Sequence, residues 1–273
     1  MNIGMYVRVM GPQSSPQMLT ECARITEAAG LDEIWVADHI AIPPDDAEGS
    51  DGRYLDPLAT LAYLSAVTQR VRLGVGVLVL PYRPMLPTAK WVATVQELSG
   101  GRLELGVGVG WMAAEFRALG VDRTQRGRIT DRTLAFLHRC FDSDEVVLNG
   151  QRFLFRPRPP RPPIVVGGAP EHAFERVLRY GDAWMPTRMP AATLAPAIAD
   201  LNARMAAAGR PPARVVTLSR LSVHDPVALD DELAELRSIG VSGVVVNWRY
   251  QSVSEFARVA ETLGARTAAR TGD

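Results

Sequence analysis

Short apolar runs alternate with stretches of helical period along most of the chain. Ile3–Val7 reads as a strand. Ser15 then offers an N-cap oxygen, with Pro16 at the first helical position. Met18, Cys22, Ile25 and Ala29 follow at i, i+4, i+7 and i+11, one face of a helix that Gly30 ends. Glu33–Ala37 is a second strand, and Asp56-Pro57 opens the next helix by the same cap-plus-proline chemistry. Leu73–Leu80 is apolar almost throughout, as a parallel strand buried on both faces reads. A helix over Pro84–Ser99, a strand over Leu103–Val107 and a helix over Thr124–Phe141 continue the rhythm.

The rhythm breaks at VVLNGQRFLF (146–155), a β-hairpin turning on Asn149-Gly150, the pair a type I′ turn prefers. PRPPRPP (157–163) then makes a stiff extended link. Strands resume at Ile164–Val166, Ala183–Met185, Val215–Leu221 and Val244–Val246, with helices between them and a last helix over Ser254–Leu263. Eight βα units without a shift in composition predict one (β/α)8 TIM barrel over residues 1–273. The hairpin is a small insertion around residues 144–160. An open doubly wound sheet is the rival, but its first βα turn carries phosphate-binding glycines, and MGPQSSP does not.

Composition narrows the partners. Thirty basic residues balance thirty acidic ones, which argues against nucleic acid or an anionic membrane. Lys90 is the only lysine, a bias that codon usage explains more simply than anion recognition. Cys22 and Cys140 sit among apolar helical positions, where small buried hydrophobes are expected. The N-terminus lacks the basic and apolar regions of a signal peptide, and LGVGVLVLP (73–81) falls short of the ~20 residues of a spanning helix. A cytoplasmic protein acting on a small molecule is the expectation.

A barrel's active site lies at the C-terminal ends of its strands. Four such ends are unusual here. Asp38 and His39 follow strand two; the His either serves acid–base chemistry or caps a loop, and the two adjacent side chains point opposite ways. Gly74 and Gly76 lie inside a buried strand, where glycine signals a bulge, close ligand approach or tight packing. GVGVGW (106–111) leaves backbone N–H groups unshielded, and its Trp111 either stacks on a ring or packs. In VVGGAP (165–170) a strand ends in Gly167-Gly168, and a helix starts just after Pro170, which makes an anion site that includes Ala169. His39, His138, His172 and His224 show no metal-ligand spacing, so no metal is expected.

Together the segments E27-A-A-G-L-D-E-I-W-V-A-D-H39, L73-G-V-G-V-L-V-L-P81, L98-S-G-G-R-L-E-L-G-V-G-V-G-W111, E115-F-R-A-L-G120, R126-G127, P163-I-V-V-G-G168 and G181-D-A-W184 resemble the bacterial-luciferase-like superfamily. They look most like its short oxidoreductases dependent on the deazaflavin coenzyme F420. The resemblance implies a (β/α)8 barrel and a non-proline cis peptide at Gly76-Val77 behind the ring. It implies ring and tail contacts at Asp38, His39, Val109, Gly110, Trp111, Val166, Gly167 and Gly168, with His39 as the catalytic group. It also implies a homodimer formed through helices near strands two and three. Where the sugar-phosphate dehydrogenase branch has a Trp after the strand-two His and a Glu in the GVG loop, this chain has Pro43 and Trp111. That departure puts a sugar-phosphate substrate in doubt. The implied activity is hydride transfer between F420 and a small organic substrate. The alternatives are a monooxygenase using reduced FMN and O2, and a non-catalytic flavin- or deazaflavin-binding barrel. The substrate walls would come from loops at 41–55 and 186–193.

Overall fold

The caps foreseen in the sequence form as written. In the computed structural model, which describes residues 1–186 and 189–268, Ser15 Oγ accepts from Met18 N at 3.2 Å and Asp56 Oδ1 accepts from Ala59 N at 3.0 Å. Each cap satisfies an N–H that the first turn leaves unpaired. Residues 187 and 188, in one of the loops expected to wall the pocket, lie outside the described residues.

Chain order gives β1 (Asn2–Tyr6), α1 (Pro16–Ala28), β2 (Glu33–Val36), α2 (Pro57–Val67), β3 (Arg72–Val79), α3 (Met85–Leu98) and β4 (Leu103–Gly108). Then come α4 (Ala113–Ala118), α5 (Arg126–Asp142) and the strands β5 (Glu145–Leu148) and β6 (Gln151–Leu154). The remainder is β7 (Ile164–Gly167), α6 (Pro170–Tyr180), β8 (Ala183–Met185), α7 (Ala191–Ala207), β9 (Arg214–Ser219), α8 (Pro226–Ser238), β10 (Gly243–Val246) and α9 (Val253–Ala268). Eight parallel strands close in the order β1-β10-β9-β8-β7-β4-β3-β2. β5 and β6 pair antiparallel outside the barrel, and Asn149 and Gly150 turn them with φ of 51° and 77°.

Small differences from expectation have local causes. In α1 the buried line is Leu19, Cys22, Ala23 and Thr26, while Met18, Ile25 and Ala29 flank it, partly buried. The helix meets the strands and its neighbouring helices over more than the single stripe that its larger apolar residues mark. The short α4 was not foreseen, because six residues are too few to show a period. Cys22 and Cys140 are buried and free.

The barrel interior is filled rather than hollow. Trp35 lies across β3, where any side chain at Gly74 would enter its ring. It joins Tyr6, Val165, Met185, Val216 and Val245 in one inner cluster. At the N-terminal end of the strands, Glu33 and Glu104 are buried against Arg72, and Glu104 is also paired with Arg214 at 2.8 Å. Paired charge therefore occupies the N-terminal end of the strands. Among the described residues no helix is long and apolar enough to cross a membrane.

Candidate functional site

Asp38 and His39 diverge where β2 ends, as adjacent residues on extended chain must. The Asp38 carboxylate turns inward. It accepts from Val79 N at 2.8 Å and from two Arg83 nitrogens at 2.6 and 2.8 Å, and Arg83 also reaches Asp56 at 2.8 Å. Burial pushes the Asp38 carboxyl up, against the pull of Arg83. This carboxylate ties the end of β3 to β2.

His39 turns the other way, onto Glu115. Nδ1 lies 3.2 Å from Glu115 Oε2, and the carboxylate is 1% exposed. Glu115 sits in α4, which follows β4 and lays its first turn beside the β2 loop. It also accepts from Ile40 N at 2.6 Å, Ala41 N at 3.1 Å and the Tyr82 hydroxyl at 2.7 Å. Burial alone would raise this carboxyl, but the bonds from His39, Ile40 N, Tyr82 and Ala41 N outweigh it and hold it down at about 2. An ionised carboxylate can only accept, so His39 carries its proton on Nδ1. Nε2 has no protein partner among the described residues and is free to accept. The ring edge meets Tyr54 at 5.1 Å and Trp111 at 6.1 Å between centroids.

Trp111 is 68% exposed, so it does not pack into the protein. An aromatic left in water beside a half-buried His is available for a ligand. Val109 and Gly110 lead into it, and Gly110 has φ +78° with Val79 and Phe116 crowding the place of a side chain.

Behind this rim lies a floor built around Val77. β3 shifts register between Val75 and Leu78, and the Gly76-Val77 peptide is cis, at the position the family resemblance implies. Val77 is thereby half-exposed, and its methyls occupy the space that side chains at Gly108 and Gly167 would need; at Gly167 a Cβ would come to 2.7 Å. β3, β4 and β7 thus meet at one valine, whose methyls take the place of side chains at Gly108 and Gly167. Both readings of the β3 glycines hold: Gly74 is tight packing, and Gly76 marks the bulge.

Beyond Gly167, Gly168 takes φ +130°, its N–H bonds to Met185 O at 3.1 Å, and its carbonyl accepts from Trp184 Nε1 at 2.8 Å. Ala169 caps α6 with Pro170 at its first position. The Ala169 N–H takes no acceptor among the described residues, so it and the helix's positive end are open to an anion. His172 is exposed.

Across the mouth, against β1, β10 and β9, opens a cleft of about 780 Å³. Tyr6 and Trp248 line it, along with Arg8, Arg220 and Arg249 and the loop over residues 47–51. The expected cofactor residues lie on the other half, at β2, β3, β4 and β7. No cluster of His, Cys, Asp or Glu among the described residues suits a metal.

Sequence reasoning missed Glu115 as a partner of His39, and it missed the arginines of the cleft. Glu115 lay in a quoted segment, and its signal was a carboxylate among small and apolar neighbours directly after a barrel strand. Tyr54 and Tyr82 carried no signal at all.

Comparison with known proteins follows the same lines. The family model for luciferase-like monooxygenases matches residues 3–272. An uncharacterised protein of Mycobacterium tuberculosis is 30% identical over 266 residues, covering 90% of this chain and 92% of its own. Among solved structures, monooxygenase RslO1 from Streptomyces bottropensis superposes with a TM-score of 0.80 at 20% identity and covers 100% of both chains. An F420-dependent secondary alcohol dehydrogenase, solved with an F420-acetone adduct, gives 0.79 at 17% identity and covers 95% of this chain and 97% of its own. At such identities these two structures establish the shared fold.

Proposed function

The chain belongs to the luciferase-like monooxygenase family, and on that premise we propose that it is an oxidoreductase that binds coenzyme F420 and moves a hydride to or from a small organic substrate. The observation that carries the reading is the His39–Glu115 pair beside the floor at Val77. A planar ring needs a flat apolar backing, and Val77 framed by Gly108 and Gly167 supplies one. A phosphate needs N–H donors at the ring's far end, and Ala169 with the start of α6 supplies them. The residues present therefore fit the group.

When bound, such a cofactor supplies the hydride chemistry. The protein's own part is position and proton management. Val109, Gly110 and Trp111 form one side of the cofactor's place and shield it from water. His39 Nε2 takes or gives the proton of the substrate's oxygen or nitrogen. Glu115 keeps Nδ1 protonated and stabilises the imidazolium while that proton is held.

A second reading has its own support, since RslO1 is a monooxygenase. On that reading the same place beside Val77 holds reduced FMN, which meets O2 there. A side-by-side fluorescence titration with F420 and FMN separates the two. F420 is expected to bind at least about tenfold tighter, a difference of about 1.4 kcal/mol. FMN binding more tightly, with O2 uptake on adding reduced FMN and organic substrates, would replace the reading. Binding of F420 without turnover of any substrate, and without effect of His39→Ala, would mark a carrier.

A further inference from the structure

Three arginines stand on neighbouring strand ends at the open half of the mouth. Arg8 lies two residues past β1, Arg249 three past β10 and Arg220 one past β9, and these strands are adjacent in the barrel. All three line the 780 Å³ cleft. None forms an ion pair with a carboxylate among the described residues. Arg8 has only one weak side-chain bond, from Nη2 to Gly49 O at 3.4 Å. At the opposite end of the same barrel, Arg72, Arg161 and Arg214 are each paired with Glu or Asp. The arginines of that end are thus paired one by one, while the three at the mouth form no ion pair among the described residues. Guanidiniums that share one cleft in excess over its carboxylates favour an anion there.

The rest of the lining describes the remainder of such a ligand. Tyr6 at the base and Trp248 at the side offer apolar surface, and Trp248 is held edge-on by His224 at 4.7 Å. The facing loop brings Glu48 and Asp51 to the lining. Three guanidiniums against two carboxylates favour a ligand with a small negative charge over a polyanion. The volume suits a small organic molecule.

We infer that this cleft binds a small organic anion, an apolar body bearing one carboxylate or phosphate, with the charged group on Arg8, Arg220 and Arg249. Its being the substrate rests on the reading above, in which the cofactor occupies the β2, β3, β4 and β7 half.

The test is calorimetric titration of the coenzyme-free protein at low salt with benzoate, phenyl phosphate and the neutral control benzyl alcohol. At least one anion is expected to bind about tenfold or more tighter than benzyl alcohol, and the tighter of the two identifies the preferred group. In the R220Q/R249Q double variant that preference is expected to fall about tenfold or more. Both side chains are exposed, so the variant should fold, and its melting temperature checks this. Anions that bind no better than benzyl alcohol overturn the proposal. So does an anion preference unchanged in the double variant, which would assign the anion to the end of β7 and α6 instead. An F420 titration of the same two proteins keeps the readings apart. Anion preference lost in the variant while wild type fails to bind F420 supports the anion cleft and overturns the coenzyme reading.

Discussion

His39 Nδ1 stands 3.2 Å from a Glu115 carboxylate that also receives two backbone N–H groups and a tyrosine hydroxyl. The pair spans 76 positions of sequence and joins the β2 loop to α4. One buried charge therefore sets a tautomer and fixes a loop at the same time.

That dual role gives a pH signature. The folded Glu115 carboxyl lies at about 2, below its ordinary 4.5. The unfolded chain binds the extra proton first as pH falls, so the contribution is full above pH 4.5 and disappears as pH drops toward 2. It amounts to about 3 kcal/mol at neutral pH. Urea unfolding of wild type and Glu115→Gln should show a gap of that order at neutral pH that shrinks as pH falls from 4.5 toward 2. A gap that ignores pH would contradict the assignment.

His39→Ala should lower turnover by about 10²–10⁴-fold if Nε2 handles the proton. Coenzyme affinity should move far less, by under about tenfold. Steady-state rates together with a binding titration read the two effects apart. A variant with full turnover would reduce His39 to a loop support.

Asp38→Asn should act on stability rather than on binding. It leaves the largely buried Arg83 with only the more exposed Asp56 as a partner. Breaking a buried ion pair on one side costs about 3–5 kcal/mol, and Asp56 keeps the expected loss near about 3. Chemical denaturation measures this, and a coenzyme titration on the folded fraction should be nearly unchanged.

Much of this was legible before any coordinates. The cap at Ser15-Pro16, the Asn149-Gly150 turn and the apolar β3 each follow from local chemistry, and eight such units leave few ways to close. The cluster of glycines at strand ends was legible for the same reason, because glycine in a buried strand demands a cause. The tie between Asp38 and Arg83 was not legible, because a one-dimensional pattern cannot show that two residues 45 positions apart would meet. Glu115 and the arginine cleft were unreadable as groups, since each is assembled from strand ends far apart in sequence.

Gly167→Ala tests the floor. A Cβ there would come within 2.7 Å of a Val77 methyl, and a β-branched side chain has few rotamers in which to yield. Overpacking of this kind costs about 1–3 kcal/mol. Coenzyme affinity should fall with it, and Val77→Ala in the same chain should restore part of the loss. Melting curves and F420 titrations on the single and double variants measure the coupling.

The pairing of β1 with β10 also fixes an order of assembly. Arg8 and Arg249 follow the first and last strands, and they come to one side of the mouth only when β10 pairs with β1. The His39–Glu115 pair, by contrast, draws on elements that leave the ribosome in the first half of synthesis. During translation the proton-handling corner can form early, while the cleft beside it waits for the final strand. The arginine cleft therefore exists only once β10 has paired with β1.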